Sequence, residues 1–425
     1  MVVTVIGLGF VGLTSALGFA ELGHKVYGME VNEERLASIA AGRLPFLEPG
    51  LDAALSRHLG KNFFPSRSMA EAVRESEAVY FCVGTPYGEN GQADLTFLFE
   101  ALRQVLACGR DGRFRVLVTK STVPPGTTAK RVTPFVASLG FEPGKDTGVA
   151  CNPEFLREGH CWEDFIHADR IVLGVSDARS KALLCELYRG MTCPVFCVSP
   201  NTAEYIKYLS NTLLATLISW SNEMSLAADA FGDIDTAQAF RILHKDHRWG
   251  GCEMASYAYP GCGYGGYCLP KDTNALCAAA GNAGYEPRIL KNVIAVNDAM
   301  PEAMAARIIK TAGVDSNICI GILGLSFKPG SDDVRDAPPA KIIAALNRAG
   351  YRNILAFDPV VGESGFRACH KNLSLRCAGS LEEVLTEAGV LALTTAWPEF
   401  LELRMKTEKP VVDCRYALKP SVKAV

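Results

Sequence analysis

The stretch that decides the fold is VVTVIGLGFVG, Val2–Gly12, at the start of the chain. Val2–Ile6 is a short apolar run rich in β-branched residues, and an apolar segment typical of a helix continues to Gly23. Between them stand three glycines in the spacing Gly-x-Gly-x-x-Gly: Gly7, Gly9 and Gly12. The next apolar run, HKVYGM, is followed by Glu30. A strand, a glycine turn, a helix, a second strand and a terminal acid together predict a dinucleotide-binding βαβ unit.

The glycines and the start of the helix have predicted roles in holding the dinucleotide. Gly7 makes the tight turn, Gly9 admits the pyrophosphate, and Gly12 lets the helix and the strand pack closely. The N-terminus of the helix, at Phe10 and Val11, faces the phosphates because its backbone N–H groups are positively polarised.

Three predicted strands end in polar residues that we expect at the cofactor. Glu30 is placed to bind the ribose hydroxyls, and its charge repels a 2′-phosphate, so NAD is favoured over NADP. Arg35 is near enough along the chain to weaken that preference. Thr85 and Thr122 end two further strands, and ligands collect at the carboxyl ends of parallel strands. The alternative for these threonines is that they only cap the next helix.

Length and composition are those of a soluble protein with two or three domains. The chain has 425 residues, of which 48% are hydrophobic and 21% are charged. The net charge is −3 and no basic block occurs, so we expect no nucleic-acid partner. The uncharged N-terminal stretch lacks a basic region and a cleavage site and carries the glycine pattern instead. We therefore expect a cytoplasmic protein with no membrane segment.

The fifteen cysteines show no CxxC pair and no regular spacing. In an intracellular chain we expect most of them to be buried as small hydrophobic residues. His244, His247 and Cys252 form a loose group, but their spacing matches no standard zinc pattern. We therefore predict no metal site.

The centre of the chain has the pattern of one long helix. A helical periodicity begins at Pro200, continues for more than thirty residues and stops at Gly232. Glu204, Lys207 and Asn211 fall on one face of this helix. They are either functional groups or an ordinary Glu–Lys surface pair with a neighbouring amide.

A second α/β unit follows the helical region. NICIGILGLSFKPG is a predicted strand and turn, PPAKIIAALNRAG a helix, and NILAFDP a strand that ends at Asp358. We therefore predict an α/β fold with two Rossmann-like domains joined by a long central helix. The predicted domains are 1–198 (NAD-binding), 199–314 (central and helical, for dimerisation) and 315–425 (C-terminal).

The segment PGCGYGGYCLPKDT, Pro260–Thr273, presents a cysteine in an unusual setting. Pro270 suits the first turn of a helix, so Cys268 is predicted just before a helix N-terminus. There the helix dipole and Lys271 favour the thiolate. Three glycines allow the backbone to approach a ligand closely: Gly263, Gly265 and Gly266. From the residues alone, a nucleophile and a cysteine that happens to lie in a turn are equally good interpretations.

The chain resembles the UDP-glucose/GDP-mannose dehydrogenase family over nearly its whole length. The matching motifs, in order, are the N-terminal fingerprint, VGTP (83–86), STVPPGTT (121–128), NPEFLREG (152–159), AEYIKYLSN (203–211), GYGGYCLPKD (263–272), GLSFKPGSDDVRD (324–336) and VVDCR (411–415). The resemblance implies a four-electron oxidation of UDP-glucose to UDP-glucuronate with two NAD and a C-terminal UDP-sugar-binding domain. It also implies that Cys268 is the nucleophile and carries a thiohemiacetal and then a thioester.

The resemblance implies roles for individual residues. The expected catalytic residues are Cys268, Lys207, Asn211, Asp272, Glu154 and Thr122. The expected cofactor contacts are Gly7, Gly9, Phe10, Val11, Gly12, Glu30, Arg35, Thr85, Thr122, Glu158 and Arg335. The expected substrate contacts are Glu154, Phe155, Leu156, Lys207, Asn211, Arg248, Tyr259, Gly263, Gly265, Phe327, Lys328 and Arg415. Lys207 is expected to stabilise oxyanion character, Asp272 to assist proton transfer, and Glu154 to act as a base in thioester hydrolysis.

Two stretches depart from the usual pattern of the family. Tyr267 stands where the family usually has a serine, so its bulk either narrows the pocket or points away from it. The segment HRWGGCEMASYAYPG is longer than the arginine loop of the family, and Arg248 is taken as its arginine. In the family this arginine reaches the substrate site of the neighbouring subunit, which implies a homodimer or a higher homo-oligomer.

Three other functions remain as alternatives. The first is the same chemistry on GDP-mannose or another nucleotide sugar. The second is a two-electron β-hydroxyacid-type dehydrogenase, which shares the N-terminal domain and a helical lysine but has no need of the cysteine segment. The third is a non-catalytic NAD sensor, which would not need Cys268, Lys207 and Asp272 together.

Overall fold

The structure is a computed structural model that describes residues 1–66, 68–88, 91–108, 111–247 and 256–418. Contacts among the described residues divide the chain into two compact units. The first unit comprises Met1–Ser210 and Ala278–Gly284, and the second comprises Asn211–Cys277 and Tyr285–Val425.

The first unit is built on an eight-stranded sheet within the described residues, in the order β3-β2-β1-β4-β5-β6-β7-β8. Its strands are β1 Val2–Ile6, β2 Lys25–Met29, β3 Phe63–Ser66, β4 Ala78–Phe81, β5 Arg115–Thr119, β6 Thr147–Cys151, β7 Ile171–Val175 and β8 Val195–Val198. All neighbouring strands are parallel except β6 and β7. The order around β1 is that of a doubly wound nucleotide-binding sheet, which confirms the predicted βαβ start.

Helices cover both faces of this sheet and bury its apolar strands in two core clusters. They are α1 Phe10–Glu21, α2 Glu33–Ala40, α3 Leu51–His58, α4 Met69–Glu75, α5 Thr96–Cys108, α6 Thr133–Ser138, α7 Cys161–Ile166 and α8 Ala178–Leu187. Side-chain caps fix where α2, α4 and α8 begin, because Asn32, Ser68 and Asp177 each accept a backbone N–H of the first turn. A π-helical turn, Thr128–Val132, leads into α6.

The predicted central helix is α9, Pro200–Phe231, and it carries the chain from the first unit into the second. It is followed by Gly232 with a φ of +73°, a left-handed conformation that ends a helix readily only at glycine. Among the described residues, three further helices follow in the central part of the chain: α10 Thr236–Leu243, α11 Cys268–Asn282 and α12 Arg288–Ala312. None of the helices within the described ranges has the length and apolarity needed to cross a bilayer.

The second unit contains a five-stranded parallel sheet within the described residues, in the order β11-β10-β9-β12-β13. Its strands are β9 Ile320–Leu323, β10 Ile354–Phe357, β11 Arg376–Cys377, β12 Val390–Leu393 and β13 Val411–Asp413. Four helices accompany them: α13 Pro338–Arg348, α14 Glu363–Cys369, α15 Leu381–Glu387 and α16 Leu403–Lys406. The predicted fold class, two Rossmann-like domains joined by a long helix, is therefore confirmed.

The described cysteines correct one expectation. Those that are buried are Cys151, Cys161, Cys262 and Cys414, whereas Cys268 and Cys369 are exposed and the others are half-buried. The expectation that most cysteines are buried is wrong because several lie on outer elements, such as Cys185 on α8 and Cys197 on the edge strand β8.

Candidate active site

The glycine turn of the first unit leaves its backbone uncovered at Gly9. Gly7 has a φ of +89°, and a Cβ there would lie 2.8 Å from the carbonyl oxygen of Cys82. A Cβ on Gly12 would lie 1.8 Å from the carbonyl oxygen of Gly7, so both positions require glycine. At Gly9, by contrast, a Cβ would meet no heavy atom of the described residues within 4 Å. This open space at the N-terminus of α1 fits the pyrophosphate of a dinucleotide.

Glu30 follows β2 and is held in its charged form. Its carboxylate accepts the backbone N–H of Leu8 at 3.0 Å and of Asn32 at 2.9 Å, and it pairs with the Arg35 guanidinium at 3.1 Å. Burial raises the pKa of Glu30, but these N–H groups and Arg35 outweigh burial and lower it below its usual value. A fixed anion at the end of β2 fits the unphosphorylated ribose of NAD.

Thr85 and Thr122 come together beyond the carboxyl ends of β4 and β5. The Thr85 hydroxyl donates to the carbonyl oxygen of Thr122 at 2.8 Å. The helical segments that follow begin only at Thr96 and Thr128, so neither threonine acts as a helix cap. The expectation that the strands end at these threonines is wrong, because β4 ends at Phe81 and β5 at Thr119 and both threonines lie in the loops that follow. Their position near the cofactor stays a prediction.

Glu154 and Lys207 form a buried ion pair in the first unit. Their nitrogen–oxygen distance is 2.9 Å, and their side chains are 5% and 4% exposed. Burial raises the pKa of the Glu154 carboxyl, but the charge and hydrogen bond of Lys207 and the N–H of Leu156 lower it overall. A small pocket beside this pair is lined by polar groups that include Thr119, Ser121, Thr122, Glu204 and Lys207.

The partner of Lys207 differs from the one that the helical spacing suggested. Glu204 is buried and accepts the backbone N–H groups of Gly126 at 2.6 Å and Thr128 at 2.7 Å. Glu204, Lys207 and Asn211 do share the buried face of α9. The alternative interpretation of Glu204 and Lys207 as an ordinary surface pair is therefore wrong. Both side chains are buried, and each has a partner of its own.

Lys120 is a buried charged residue that the sequence analysis missed. It follows β5, and its ammonium donates to the side-chain oxygen of Asn152 at 3.1 Å. Asn152 also accepts the hydroxyl of Tyr188 at 2.5 Å. Burial lowers the pKa of Lys120, while the charge of nearby Glu154 acts in the opposite direction. A lysine directly after an apolar strand, in VLVTKST, was the available signal.

The substrate residues expected in NPEFLREG lie beside this ion pair. The Lys207 ammonium is 5.7 Å from the centre of the Phe155 ring, and the Arg170 guanidinium is 4.2 Å from it. The backbone N–H of Leu156 donates to Glu154 at 2.7 Å. Glu158 is half-buried.

Cys268 is the first residue of α11 and its side chain is exposed. The helix thus begins slightly earlier than predicted, and the cysteine lies in its first turn. The glycines before it are required by packing inside the second unit. A Cβ on Gly263 would lie 2.8 Å from Asn297 Oδ1, and one on Gly265 would lie 2.6 Å from the carbonyl oxygen of Asp336.

A buried polar network lies one turn behind the cysteine. Asp272 is fully buried, pairs with the ammonium of Lys271, and accepts the side-chain N–H of Asn211 at 2.5 Å. Burial lowers the pKa of Lys271, but the charges of Asp272 and Cys268 raise it overall. The structure thus joins two expected catalytic residues, Asn211 and Asp272, through a direct hydrogen bond and adds Lys271 as a charged partner.

The remaining expected residues of the second unit surround the cysteine segment. Phe327 lies 3.1 Å from the Cβ position of Gly266, and Arg415 lies 3.0 Å from that of Gly261. Lys328 lies over the Phe327 ring at 5.5 Å, and the Tyr259 hydroxyl donates to the carbonyl oxygen of Tyr416 at 2.9 Å. Arg335 pairs with Asp333 and stacks on Tyr267. Arg248 lies outside the described residues.

Metal ligands do not gather anywhere in the described part of the chain. No three histidine, cysteine, aspartate or glutamate side chains there are close enough to hold an ion. Cys252, from the loose group noted in the sequence, lies outside the described residues.

Comparison with known proteins matches most of the chain to one family in three parts. The sequence models of the UDP-glucose/GDP-mannose dehydrogenase family match as its NAD binding domain (residues 1–192), central domain (201–299) and UDP binding domain (321–420). The UDP-glucose 6-dehydrogenase of Rhizobium meliloti (strain 1021) is 37% identical over 414 residues, covering 95% of this chain and 91% of the relative.

Two solved structures agree with this match. A UDP-glucose dehydrogenase from the hyperthermophilic archaeon Pyrobaculum islandicum is 37% identical, with a TM-score of 0.90 over 98% of this chain and 94% of that one. A UDP-D-ManNAc dehydrogenase from Pyrococcus horikoshii is 27% identical, with a TM-score of 0.86 over 100% of this chain and 98% of that one.

Proposed function

This chain belongs to the UDP-glucose/GDP-mannose dehydrogenase family and is an NAD-dependent enzyme, and we propose that it oxidises UDP-glucose to UDP-glucuronate. The substrate is inferred from two relatives that are each 37% identical to this chain: the bacterial UDP-glucose 6-dehydrogenase and the archaeal UDP-glucose dehydrogenase. The observation that carries the chemistry is the exposed Cys268 thiol in the first turn of α11, with Lys271 and Asp272 behind it.

NAD, when bound, accepts one hydride in each of the two oxidations. We assign its pyrophosphate to the glycine turn of Gly7, Gly9 and Gly12 and its ribose to Glu30. Arg335 is retained as a proposed cofactor contact, together with Glu158 and the two threonines that follow β4 and β5.

The first oxidation converts the C6 alcohol to an aldehyde, so the alcohol loses a proton as well as a hydride. We assign Lys207 to stabilise the oxygen as its proton leaves, because a buried ammonium paired with Glu154 is a fixed positive charge. Asn211 orients the same oxygen. One of its two amide N–H groups donates to Asp272, which leaves the second N–H and the side-chain carbonyl for the substrate oxygen.

The second oxidation uses the cysteine. The Cys268 thiolate adds to the aldehyde carbon, and protonation of the oxygen gives a thiohemiacetal, which can release a second hydride. Loss of that hydride and the hydroxyl proton leaves a thioester. Water then attacks the carbonyl carbon, the C–S bond breaks, and the thiolate and the carboxylic acid are released. The helix N-terminus and Lys271 stabilise the thiolate, and Asp272 and Glu154 are assigned to the proton transfers.

The remaining assignments concern the parts of the molecule. We propose residues 1–198 as the NAD-binding domain, 199–314 as the central dimerisation region and 315–425 as the UDP-sugar-binding domain. Phe155, Leu156, Tyr259, Phe327, Lys328 and Arg415 are proposed substrate contacts, and Arg248 is proposed to serve the site of a second subunit in a homodimer.

The test is the number of NADH molecules formed per UDP-glucose consumed, with mass identification of the product. We expect a ratio of about two with UDP-glucuronate as the product. Cys268→Ser should lower formation of the acid by at least about a thousandfold. Cys369→Ser, which changes the other exposed cysteine of the described residues, is the matched control and should retain activity.

Other outcomes separate the alternatives. A ratio of one with an aldehyde product would identify a two-electron dehydrogenase, and full activity of Cys268→Ser would show that this cysteine is not the nucleophile. A higher kcat/KM with GDP-mannose or a UDP-N-acetylhexosamine would reassign the substrate and leave the thioester chemistry in place. NAD binding without turnover on any of these nucleotide sugars would favour a sensor.

A further inference from the structure

Tyr267, which directly precedes Cys268, lies close to two cations of the second unit. The Arg335 guanidinium is 4.8 Å from the centre of its ring, and the Lys271 ammonium is 5.6 Å from it. Both distances are within the range of a cation–π interaction. The ring is half-buried, whereas the cysteine beside it is exposed. The bulky side chain that replaces the usual serine therefore has a specific partner.

The Arg335 guanidinium is held in place by hydrogen bonds within its own segment. Its guanidinium makes a bidentate pair with Asp333, with Nε at 2.9 Å from Oδ1 and Nη2 at 2.7 Å from Oδ2. Its backbone N–H donates to the same carboxylate at 2.8 Å. Asp333 is itself held by its backbone N–H to Ser331 and by its carbonyl oxygen, which accepts the N–H of Phe327. A planar guanidinium held in this way presents one face to an aromatic ring at little entropic cost.

Between Tyr264 and Cys268 the chain offers one large side chain for anchoring. From Gly265 to Cys268 the sequence is GGYC, so Tyr267 is the single bulky residue. Gly265 and Gly266 approach Asp336 and Phe327 through backbone alone. Gly266 has a φ of +76°, a conformation that favours glycine. Tyr267 is thus the large side chain nearest to Cys268 on the N-terminal side of α11.

We propose that Tyr267 is a positioning residue. Its ring, held against Arg335, attaches the turn before Cys268 to the 331–335 segment of the C-terminal domain and so fixes the position of the thiol. The catalytic consequence rests on the proposed role of Cys268 as nucleophile, but the positioning does not. A small residue at this position could not make the contact with Arg335. Arg335 therefore helps to hold the cysteine segment in addition to its proposed cofactor contact.

The test compares Tyr267→Leu, which keeps bulk but removes the aromatic face, with Tyr267→Phe, which keeps the face. Two readouts need no substrate: amide hydrogen exchange of peptides covering 263–268, and the rate of iodoacetamide alkylation of Cys268 at fixed pH. We expect Tyr267→Leu to change both rates about threefold to tenfold, and Tyr267→Phe to match the unmodified protein. Tyr285→Leu, at an exposed tyrosine of the same unit, is the control and should change neither rate.

Arg335→Met identifies the partner. It should reproduce the Tyr267→Leu effect on exchange, and the double variant should add nothing further, because both changes remove one interaction. Additive effects, or equal behaviour of the Leu and Phe variants, would overturn the proposal. So would an unchanged exchange rate in Tyr267→Leu.

A third readout links positioning to chemistry. In Tyr267→Leu a misplaced thiol should capture less aldehyde, so kcat and the NADH-to-sugar ratio should fall together. KM for the nucleotide sugar should stay nearly constant. Tyr267→Phe should keep both kcat and the ratio of the unmodified protein. If exchange changes but the ratio does not, the catalytic part of the proposal is wrong. If UDP-glucose is not oxidised at all, the proposed function fails, and exchange and alkylation still decide the positioning.

Discussion

Glu154 and Lys207 show what a single buried ion pair contributes to this fold. We expect Lys207→Met to lower the free energy of unfolding by about 3–5 kcal/mol at neutral pH, because it leaves an unpaired carboxylate in the interior. In the unmodified protein Lys207 outweighs burial and lowers the pKa of Glu154, so its stabilisation is present above the unfolded pKa of about 4.3 and is lost as the pH falls through the folded pKa. In the variant burial acts without the charge of Lys207 and favours the neutral carboxyl, so protonation removes the unpaired charge at a higher pH than in the unmodified protein. The loss of stability in Lys207→Met relative to the unmodified protein should therefore become smaller on acidification.

Thermal unfolding at several pH values between 4 and 8 measures this effect, and the double variant Glu154→Gln with Lys207→Met is the matched control. Removing both charges should recover part of the lost stability, since no unpaired carboxylate remains. A loss of stability in Lys207→Met that is the same at pH 4 and pH 8 would contradict the assignment of Glu154 and Lys207 as an ion pair.

The proposed role of Glu30 is to select NAD over NADP by its charge. Glu30→Gln should raise the kcat/KM ratio for NADP over NAD by at least about tenfold, because it removes the repulsion of a 2′-phosphate and releases the Arg35 guanidinium. Initial rates with both cofactors give the ratio. Adding Arg35→Gln to this variant should reverse most of the gain. An unchanged ratio in Glu30→Gln would show that another group selects the cofactor.

At the scale of elements, Glu204 joins the first turns of α9 to the helical turn that begins at Thr128. Burial raises the pKa of this carboxyl, and the N–H groups of Gly126 and Thr128 lower it without offsetting burial. Folding therefore favours the protonated form. Its contribution to stability is complete below the unfolded pKa and is lost as the pH rises through the raised folded pKa.

Glu204→Gln tests this sign. At low pH the variant should be less stable by about 1 kcal/mol, because an amide cannot accept both backbone N–H groups. The deficit should become smaller as the pH rises, since the neutral amide loses nothing on deprotonation. Thermal midpoints from pH 4 to pH 8 measure the difference, with Glu223→Gln at an exposed site of the same helix as the control. A deficit that grows with pH would contradict the prediction.

Elements with a strong local signal could be predicted, and partners distant in sequence could not. The spacing of Gly7, Gly9 and Gly12 has a steric cause within one turn, and α9 ends where Gly232 allows it, so both were predictable. The pairing of Lys207 with Glu154 depends on β6 and α9 meeting in space, which helical spacing does not encode. For the same reason the burial of Lys120 against Asn152 escaped prediction.

At the scale of the whole molecule, the chain carries two nucleotide-type sheets but one glycine fingerprint. β9 continues into GLSFKPG, where Gly324 has a φ of +101° and a Cβ would lie 2.3 Å from Thr395. Glycine is thus needed there for packing within the sheet. The sequence predicted both sheets from apolar runs, and the family match assigns them different domains, NAD-binding and UDP-binding.

One face of α9 is apolar and exposed, and we name its residues the α9 stripe: Tyr205, Leu209, Leu213, Trp220, Met224 and Phe231, which are 38–82% exposed. Their spacing of four or seven residues places them on one side of the helix, opposite the buried Lys207 and Asn211. A continuous exposed apolar strip of this length is typical of a protein–protein interface. We infer that a second copy of this chain covers it, which agrees with the proposed homodimer.

Leu213→Asp tests this interface, because a charge in the middle of the α9 stripe must lose its hydration when two copies associate. We expect light scattering at micromolar concentration to show a mass near twice the chain's 45.8 kDa for the unmodified protein and near the single-chain mass for the variant. Val314→Asp, at a fully exposed apolar residue outside α9, should leave the dimer intact. A monomeric unmodified protein, or a Leu213→Asp variant that still dimerises, would place the interface elsewhere.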